Sequence, residues 1–302
     1  MSQDHLVKAL AYEDQVRIYA IQSTDMVDEA ARRHQTWRTV TAAIGRALTA
    51  GTMMGAMLKG DEKLTIKIEG NGPASPVIID ANAKGEARGY VSRVDVDPER
   101  HADGKLNVGA AVGHEGHLSV VKDLGMKDYF TGSVPLVSGE LGDDFTYYFA
   151  SSEQTPSSVA LGVLVGEEEK VMAAGGFILQ LMPEATDATI DQVEAVLQEL
   201  PSVTEMLSNG LKPEDIVNRL SGGNYRILDT MPVTFHCHCS KERIETALYS
   251  IQEDELVSMI EEDEGAETAC HFCNEVYQFN KADLQQILHN RRQGNEQAKS
   301  QN

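Results

Sequence analysis

Apolar and polar residues follow two different periods along this chain, and the change of period near residue 181 indicates how the chain is organised. Before that point, many short stretches alternate apolar and polar positions, as in "QVRIYAIQST" (15–24) and "KLTIKIEGNGP" (63–73). A period of two predicts β-strands with one buried face. One segment, 26–58, has helical character with a break near Trp37. Because the strands arrive in runs and do not alternate regularly with helices, the pattern predicts an α+β fold.

More strand signals follow these first stretches. "SPVIIDANAKGEARGYVSR" (75–93) predicts a hairpin that turns at "NAKGE". The same reasoning predicts strands over 117–123, 144–151, 158–166 and 170–183. Together these stretches predict an N-terminal mixed α/β core domain over residues 1–180.

The spacing of apolar residues becomes helical after Pro183. "ATIDQVEAVLQEL" (188–200) carries an apolar stripe made by Ile190, Val193, Val196, Leu197 and Leu200. Two further helices are predicted over 202–208 and 212–220, the latter with Pro213 in its first turn. Each helix has one apolar face and no core of its own, so it must pack on neighbouring parts of the chain. We therefore predict a helical linker over 181–231 and a small C-terminal module over 232–302.

The composition restricts the classes of partner. The chain has 47 acids against 26 bases, and its formal net charge is −21. A surface this acidic repels phosphate groups, which disfavours nucleic acid and anionic membranes as partners. The most apolar long segment, 41–58, contains Arg46 and many small residues, so we interpret it as a helix packed closely on a sheet. The first residues do not resemble a signal peptide, and we therefore expect a cytoplasmic protein whose thiols stay reduced.

All four cysteines of the chain lie in two tight pairs near its C-terminus. They are Cys237 and Cys239 in "TFHCHCSKE", and Cys270 and Cys273 in "TACHFCNE". Four thiolates complete the tetrahedral shell of a structural Zn²⁺, and paired cysteines a few residues apart can supply them. CxxC fits a turn, and the i, i+2 spacing of CxC puts both sulfurs on one side of an extended segment. The sequence therefore predicts one Zn²⁺ per chain, bound by these four cysteines in a C-terminal zinc-binding module.

Other residues and motifs give weaker indications of metal binding or catalysis. His236, His238 and His271 flank the pairs, but four sulfurs already complete the metal shell, so we expect these histidines to be exposed or to lie behind the ligands. Eight acids and no base occur from Glu253 to Glu267, which indicates a solvated helix face followed by a loop. The sequence has no phosphate-binding loop motif, so nothing in it indicates ATP use.

With CxC, an acidic spacer and CxxC after a helical linker, the chain resembles the redox-regulated heat-shock protein 33 family of chaperonins. The resemblance also rests on "IEGNGP", "ANAKGEARGYV", "AAGGFILQLMP" and "MPVTFHCHCSKER", and it spans about residues 5–290. It implies an ATP-independent holdase, a chaperone without enzymatic activity that binds unfolding client proteins during oxidative stress. In such proteins zinc holds the reduced C-terminal module folded, and the protein is inactive in this state. Oxidation pairs the cysteines, releases the metal and unfolds the module and the linker, and the active forms are homodimers.

Four cysteines allow three disulfide connectivities, and we predict Cys237–Cys239 together with Cys270–Cys273 in the oxidised protein. Residues three apart in a turn lie close enough for a disulfide, whereas the CxC pair requires local bending. A crossed pairing remains open, because all four sulfurs would crowd around one metal ion.

Two other functions are compatible with paired cysteines. A thiol–disulfide oxidoreductase would use CxxC as its attacking pair, but such pairs usually lie at a helix N-terminus that lowers the thiol pKa. Here the nearby acids would raise the pKa of the metal-free thiols. A zinc-stabilised nucleic-acid-binding protein is disfavoured by the net charge.

Overall fold

A computed structural model describes residues 4–300 of the chain, with the side chains described as far as residue 293. The chain divides between His236 and Cys237 into two compact units, called here the N-terminal unit and the C-terminal unit. The predicted linker helices belong to the N-terminal unit. The three-part division drawn from the sequence stays a prediction.

The N-terminal unit contains eleven strands and seven helices among the described residues. In chain order they are β1 (His5–Ala11), β2 (Val16–Gln22), α1 (Thr24–His34), α2 (Arg38–Gly55), β3 (Lys63–Glu69), β4 (Val77–Asn82), β5 (Glu86–Val91), α3 (Val108–Val112), β6 (His117–Asp123), β7 (Phe130–Pro135), α4 (Gly142–Ser151), β8 (Ser157–Val165), β9 (Val171–Leu181), α5 (Asp187–Glu199), α6 (Val203–Ser208), α7 (Pro213–Leu220), β10 (Tyr225–Pro232) and β11 (Thr234–Phe235). Strands occur in runs of two or three and do not alternate regularly with single helices, which confirms the predicted α+β class.

Two mainly antiparallel sheets organise this unit. The first sheet has the order β10-β1-β2-β9-β8, and all its pairings are antiparallel. The second has the order β11-β5-β4-β3-β6-β7, in which only the short pairing of β11 with β5 is parallel among the residues described. The predicted hairpin over 75–93 is the pair β4–β5, and it turns within "NAKGE" as expected.

Helix α2 is buried along most of its length and packs against strands of both sheets. The absence of side chains at Gly51 and Gly55 lets the helix approach β4, because an added Cβ would come within 2.9 Å of Ile79 and 2.6 Å of Asn82. Close packing of this small-residue segment on a sheet is therefore confirmed. Across the part of the chain that is described, no helix combines the length and the apolarity needed to cross a membrane.

One predicted strand is wrong. Residues 144–151 form most of α4, although their aromatic side chains favour strands. The carboxylate of Asp144 accepts the backbone N–H groups of Val137 (2.6 Å) and Leu141 (2.9 Å), which fixes the turn before the helix. Phe145, Tyr148 and Phe149 then follow helical spacing and are all buried. The capping carboxylate and this spacing together outweigh the β-propensity of the individual residues.

The first sheet is apolar on both faces, because successive residues of a strand point to opposite sides. Leu6 and Ile21 belong to the core that contains α1 and α2. Val7, Ile18 and Phe177 point the other way and form a second core with the linker helices. The sheet is therefore covered on one face by the central helices and on the other face by α5, α6 and α7.

The linker helices pack on this second face as their apolar stripes predicted. Helix α6 contacts β8 and β9, α7 contacts β1 and β2, and α5 contacts α7. The buried linker side chains in this core are Val193, Val203, Met206, Ile216, Val217 and Leu220. Val196, which the sequence placed on the same apolar stripe, is only half-buried. The stripe of α5 therefore buries Val193 and leaves part of its remaining apolar surface accessible.

The C-terminal unit consists of α8 (Lys241–Leu248), α9 (Glu253–Glu261), a hairpin of β12 (Gly265–Ala269) and β13 (Val276–Asn280), and α10 (Lys281–Ser300). Its core contains only six buried apolar side chains among the described residues, namely Leu248, Leu256, Ile260, Phe279, Leu284 and Ile287. A unit with so small a core usually needs a metal or a covalent cross-link to remain folded. Seven of the eight acids between Glu253 and Glu267 are exposed, which confirms the predicted solvated helix face and loop.

One buried acid of the N-terminal unit escaped the sequence analysis. Asp4 is 4% exposed, and its carboxylate accepts the backbone N–H of Met26 at 2.8 Å in the first turn of α1. Burial raises the pKa of Asp4 to about 7, with a further rise from the neighbouring charge of Asp25, and the backbone hydrogen bonds only partly offset it. Asp4 is therefore protonated in the folded protein over a pH range in which it is ionised in the unfolded chain.

Replacement of this acid should change the pH dependence of stability. The folded-state pKa of Asp4 lies above the usual value of 3.8. Proton binding by Asp4 therefore stabilises the folded state fully below pH 3.8, and this contribution is lost as the pH rises through about 7. Asp4→Asn keeps an oxygen acceptor and removes the charge. We expect the stability gain of this variant over the wild type to be about 2–3 kcal/mol larger at pH 8 than at pH 5. Urea unfolding followed by the fluorescence of Trp37, the only tryptophan, measures the difference.

A matched control is Asp61→Asn, since the Asp61 side chain is 94% exposed. Its stability relative to the wild type should stay nearly constant over the same pH range. Equal pH slopes for wild type and Asp4→Asn would contradict the assignment of Asp4 as a neutral buried acid.

Candidate metal centre

Cys237 and Cys239 follow β11 directly and come just before α8. The helix begins after Ser240, whose backbone is extended (φ −151°, ψ 164°) and whose hydroxyl accepts the N–H of Arg243 at 3.3 Å. Extended backbone places residues i and i+2 on the same side of the chain. The serine cap therefore ends the extended CxC segment immediately after its second cysteine.

The CxxC pair occupies the turn of the hairpin β12–β13. The N–H of Cys270 donates to the carbonyl oxygen of Glu275 at 2.9 Å and closes the hairpin. Within the turn, the N–H groups of Cys273 and Asn274 both donate to the carbonyl oxygen of Cys270, at 3.2 and 2.8 Å. Asn274 has a left-handed backbone (φ 56°), which asparagine tolerates better than most residues. This tight turn directs both sulfurs to one side of the hairpin.

The two pairs meet in a single cluster. All four Sγ atoms lie within 4.8 Å of one another. The Sγ atoms of Cys239 and Cys273 are 3.3 Å apart, and those of Cys237 and Cys270 are 3.8 Å apart. These distances exceed a disulfide bond of about 2.05 Å, so no disulfide joins any two of the four cysteines. Sulfurs about 2.3 Å from a tetrahedral metal ion would be about 3.8 Å apart, so the cluster fits one such ion.

The surroundings of the thiols favour a bound cation over attack on a substrate. Cys270 and Cys273 are buried, whereas Cys237 and Cys239 are half-buried. Burial raises the pKa of the Cys270 and Cys273 thiols, and the adjacent Cys237 thiol raises both further. A thiol with a raised pKa is a poor nucleophile at neutral pH, whereas a cation among the four sulfurs would stabilise them as thiolates.

The three flanking histidines are not part of this cluster. His236, His238 and His271 are all exposed, as the sequence analysis expected for residues outside the metal shell. The four sulfurs are therefore sufficient to surround one metal ion.

Sequence reasoning missed one residue of this site, Tyr277. Its hydroxyl donates a hydrogen bond to the Sγ atom of Cys239 at 3.2 Å, and this bond raises the pKa of the tyrosine. The sequence did contain a signal that Tyr277 points inward. Tyr277 and Phe279 are two residues apart in β13 and must point to the same side of the hairpin. Phe279 is a core residue, so the alternation also directs the tyrosine inward.

The fold and this cluster define a class of protein with an α+β N-terminal unit and a small C-terminal unit built around four cysteines. Over residues 4–280 the sequence matches the family described as Hsp33 protein. It is 57% identical over 285 residues to the 33 kDa chaperonin of Geobacillus sp. (strain WCH70), an alignment that covers 94% of this chain and 97% of the relative. The 33 kDa chaperonin of Halalkalibacterium halodurans is 58% identical over 285 residues, with coverages of 94% and 98%.

A solved structure supports the same assignment. The crystal structure of the 33 kDa chaperonin (Heat shock protein 33 homolog) from Thermotoga maritima superposes with a TM-score of 0.89 at 32% identity, covering 95% of this chain and 98% of the other. The chain belongs to the Hsp33 family, which confirms the resemblance found in its motifs.

The all-sulfur geometry leads to a prediction about metal content. The triple variant His236→Ala, His238→Ala, His271→Ala should keep one metal ion per chain, because the four sulfurs remain in place. Cys270→Ser should lose most of the bound metal, since it replaces a thiolate ligand with a hydroxyl. Elemental mass spectrometry of the reduced proteins, with thiols counted in parallel, measures both. Loss of metal from the histidine variant would contradict the all-sulfur assignment.

Proposed function

We propose that this protein is a redox-regulated, ATP-independent chaperone, a holdase that binds unfolding proteins and prevents their aggregation during oxidative stress. In the reduced state it binds zinc and is inactive, and disulfide formation with zinc release activates it. The observation that carries the proposal is the convergence of all four cysteines of the chain, within 4.8 Å, in a separate unit with a small core. Membership of a family whose relatives are named chaperonins supports the chaperone activity.

Zinc is the metal that this donor set suits best. Tetrahedral sites with four sulfur ligands select zinc or iron–sulfur chemistry, and closed four-cysteine sites are typical of structural zinc. Cys237, Cys239, Cys270 and Cys273 would hold the ion. When bound, Zn²⁺ supplies a cross-link worth roughly 10–16 kcal/mol of apparent folding free energy in small modules. Because six buried side chains are the described core of this unit, loss of the cross-link should unfold it.

We propose that oxidation joins Cys237 to Cys239 and Cys270 to Cys273. The short crossed distances, 3.3 and 3.8 Å, belong to the reduced cluster. Once the unit unfolds, loop length influences the pairing. Closing a loop of about 33 residues costs roughly 2 kcal/mol more than closing one of about three residues, which favours the local pairs. Strain in the Cys237–Cys239 bond opposes this preference and should make it the more easily reduced of the two.

The packing of the linker supports a proposal for the client-binding surface. The second core joins the apolar faces of α5, α6 and α7 to one face of the first sheet. We propose that unfolding of the C-terminal unit destabilises these helices, which precede it in the chain, and that their release exposes both apolar surfaces to clients. The net charge of −21 keeps this exposed state in solution. We propose further that the active form is a homodimer, and that the protein works in the cytoplasm, where its thiols are reduced.

A thiol–disulfide oxidoreductase is the alternative, and the cluster does not favour it. Such an enzyme needs an accessible thiol with a lowered pKa. Here the CxxC cysteines are buried, and burial raises the pKa of both thiols.

The chaperone proposal is tested with a client protein that aggregates on heating. Peroxide-treated protein should suppress light scattering by the client at equimolar concentration, whereas the reduced, zinc-loaded protein should not. Zinc release, followed with a chromogenic chelator, should accompany activation. Activity of the reduced, zinc-loaded protein at the same level would contradict redox control.

The same oxidised sample decides the disulfide pairing. Proteolysis without reduction, followed by mass spectrometry, should recover Cys237–Cys239 and Cys270–Cys273 as the main products. Cys237 joined mainly to Cys270 or Cys273 would refute this pairing.

A charge on the buried face of the linker should replace oxidation as the trigger. Val193→Glu places a carboxylate at a position that is 4% exposed in the second core. Burial of an unpaired charge is strongly unfavourable, so the linker should detach. We expect the reduced, zinc-loaded variant to suppress client aggregation. Ala195→Glu adds the same charge at an exposed position of the same helix and should remain inactive.

Hydrogen exchange makes the linker test decisive. If Val193→Glu remains inactive while its linker amides exchange rapidly, release of the linker is not the switch. The client-binding surface would then have to be sought elsewhere in the chain.

A further inference from the structure

Tyr277 connects the two cysteine pairs. It lies four residues after Cys273, on β13, where it pairs with Thr268 of β12. From this hairpin its hydroxyl reaches the Sγ atom of Cys239, in the other pair, at 3.2 Å. A residue of the CxxC hairpin therefore donates a hydrogen bond to a sulfur of the CxC segment.

The packing of β13 fixes the direction of this hydroxyl. The Tyr277 ring is half-buried and packs against the core of the C-terminal unit. Phe279, two residues along the same face, is 2% exposed and is covered by the ammonium group of Lys241, 5.0 Å from its ring centre. Lys241 is in turn held by the carboxylate of Asp283 at 2.9 Å. The tyrosine is thus supported by a packed strand, and its hydroxyl has a defined partner.

A donor at this sulfur affects the oxidation chemistry directly. Oxidation begins when a sulfur lone pair attacks one oxygen of a peroxide. The O–O bond breaks, the sulfur becomes a sulfenic acid, and the leaving oxygen takes a proton and departs as water. A second cysteine thiolate then attacks the sulfenic sulfur, forms the disulfide and releases a second water after protonation. A hydrogen bond to the attacking sulfur withdraws electron density from the lone pair and must weaken as the S–O bond forms.

We propose that Tyr277 is a positioning residue that holds Cys239 in the cluster and delays its oxidation, so that it sets how much peroxide is needed to trigger the switch. The proposal deepens the redox function proposed above and rests on it for its biological meaning. Of the two half-buried cysteines, Cys239 is the one that receives this hydroxyl. Protection of an accessible sulfur keeps the reduced cluster intact at low peroxide concentration.

The test uses the full-length reduced protein and the variant Tyr277→Phe, which keeps the ring and removes the donor. After timed exposure to hydrogen peroxide, alkylation and mass spectrometry give the oxidation rate of each cysteine, and a chelator dye gives zinc release. Because hydrogen bonds to charged acceptors are stronger than neutral ones, we expect Cys239 to oxidise about 3- to 10-fold faster in the variant. Tyr249→Phe is the matched control, since Tyr249 packs on the same core. In this control variant Cys239 should oxidise at the wild-type rate.

A graded substitution separates donation from packing. Site-specific 3-fluorotyrosine at position 277 keeps the shape and makes the hydroxyl a stronger donor, so Cys239 should oxidise more slowly than in the wild type. Equal Cys239 rates in wild type, Tyr277→Phe and the fluorinated protein would overturn the proposal. If the wild-type protein instead bound no zinc, the proposed metal switch would fail, and the Cys239 rates measured in the same samples would still decide the role of Tyr277.

Discussion

The crowding of four sulfur atoms within 4.8 Å is the constraint on which the C-terminal unit depends. Neutral thiols pack at this distance without difficulty, but four thiolates would repel one another unless a cation lay among them. The unit around them has a core of six side chains and an exposed acidic helix. Such a unit gains little from hydrophobic burial, so its stability must follow the state of the sulfurs. In the redox switch proposed above, oxidation of a pair of these sulfurs would release the metal and unfold the unit.

The first sheet of the N-terminal unit carries the apolar surfaces that the proposed function requires. It is apolar on both faces, and its two covers differ in the length of their helices. On one side lies α2, a long buried helix that contacts both sheets. On the other side lie three short helices, of 13, 6 and 8 residues, which are too short to be stable when detached. The release proposed above would therefore detach the three helices together, because each depends on this sheet for its stability.

Local patterns predicted much of this arrangement, and they failed where a side chain acts at a distance. The aromatic run 144–151 has strand propensity, but Asp144 caps the turn before it and the residues form α4. Tyr277 has no motif of its own, yet the hairpin brings its hydroxyl to Cys239, 38 positions away. Asp4 looks like an ordinary surface acid in the sequence, and its raised pKa comes from burial within the N-terminal unit.

The sequence by itself determined the α+β class, the apolar faces of the linker helices, the four cysteines of the cluster and the family. These follow from periodicity, spacing and motif, which are properties of residues near one another in the chain. Only the tertiary structure decided which sulfurs are nearest neighbours, that Val193 rather than Val196 is the buried anchor of α5, and that a tyrosine reaches the cluster. Burial, interatomic distance and pKa depend on groups that folding brings together from remote positions, and no local pattern encodes them.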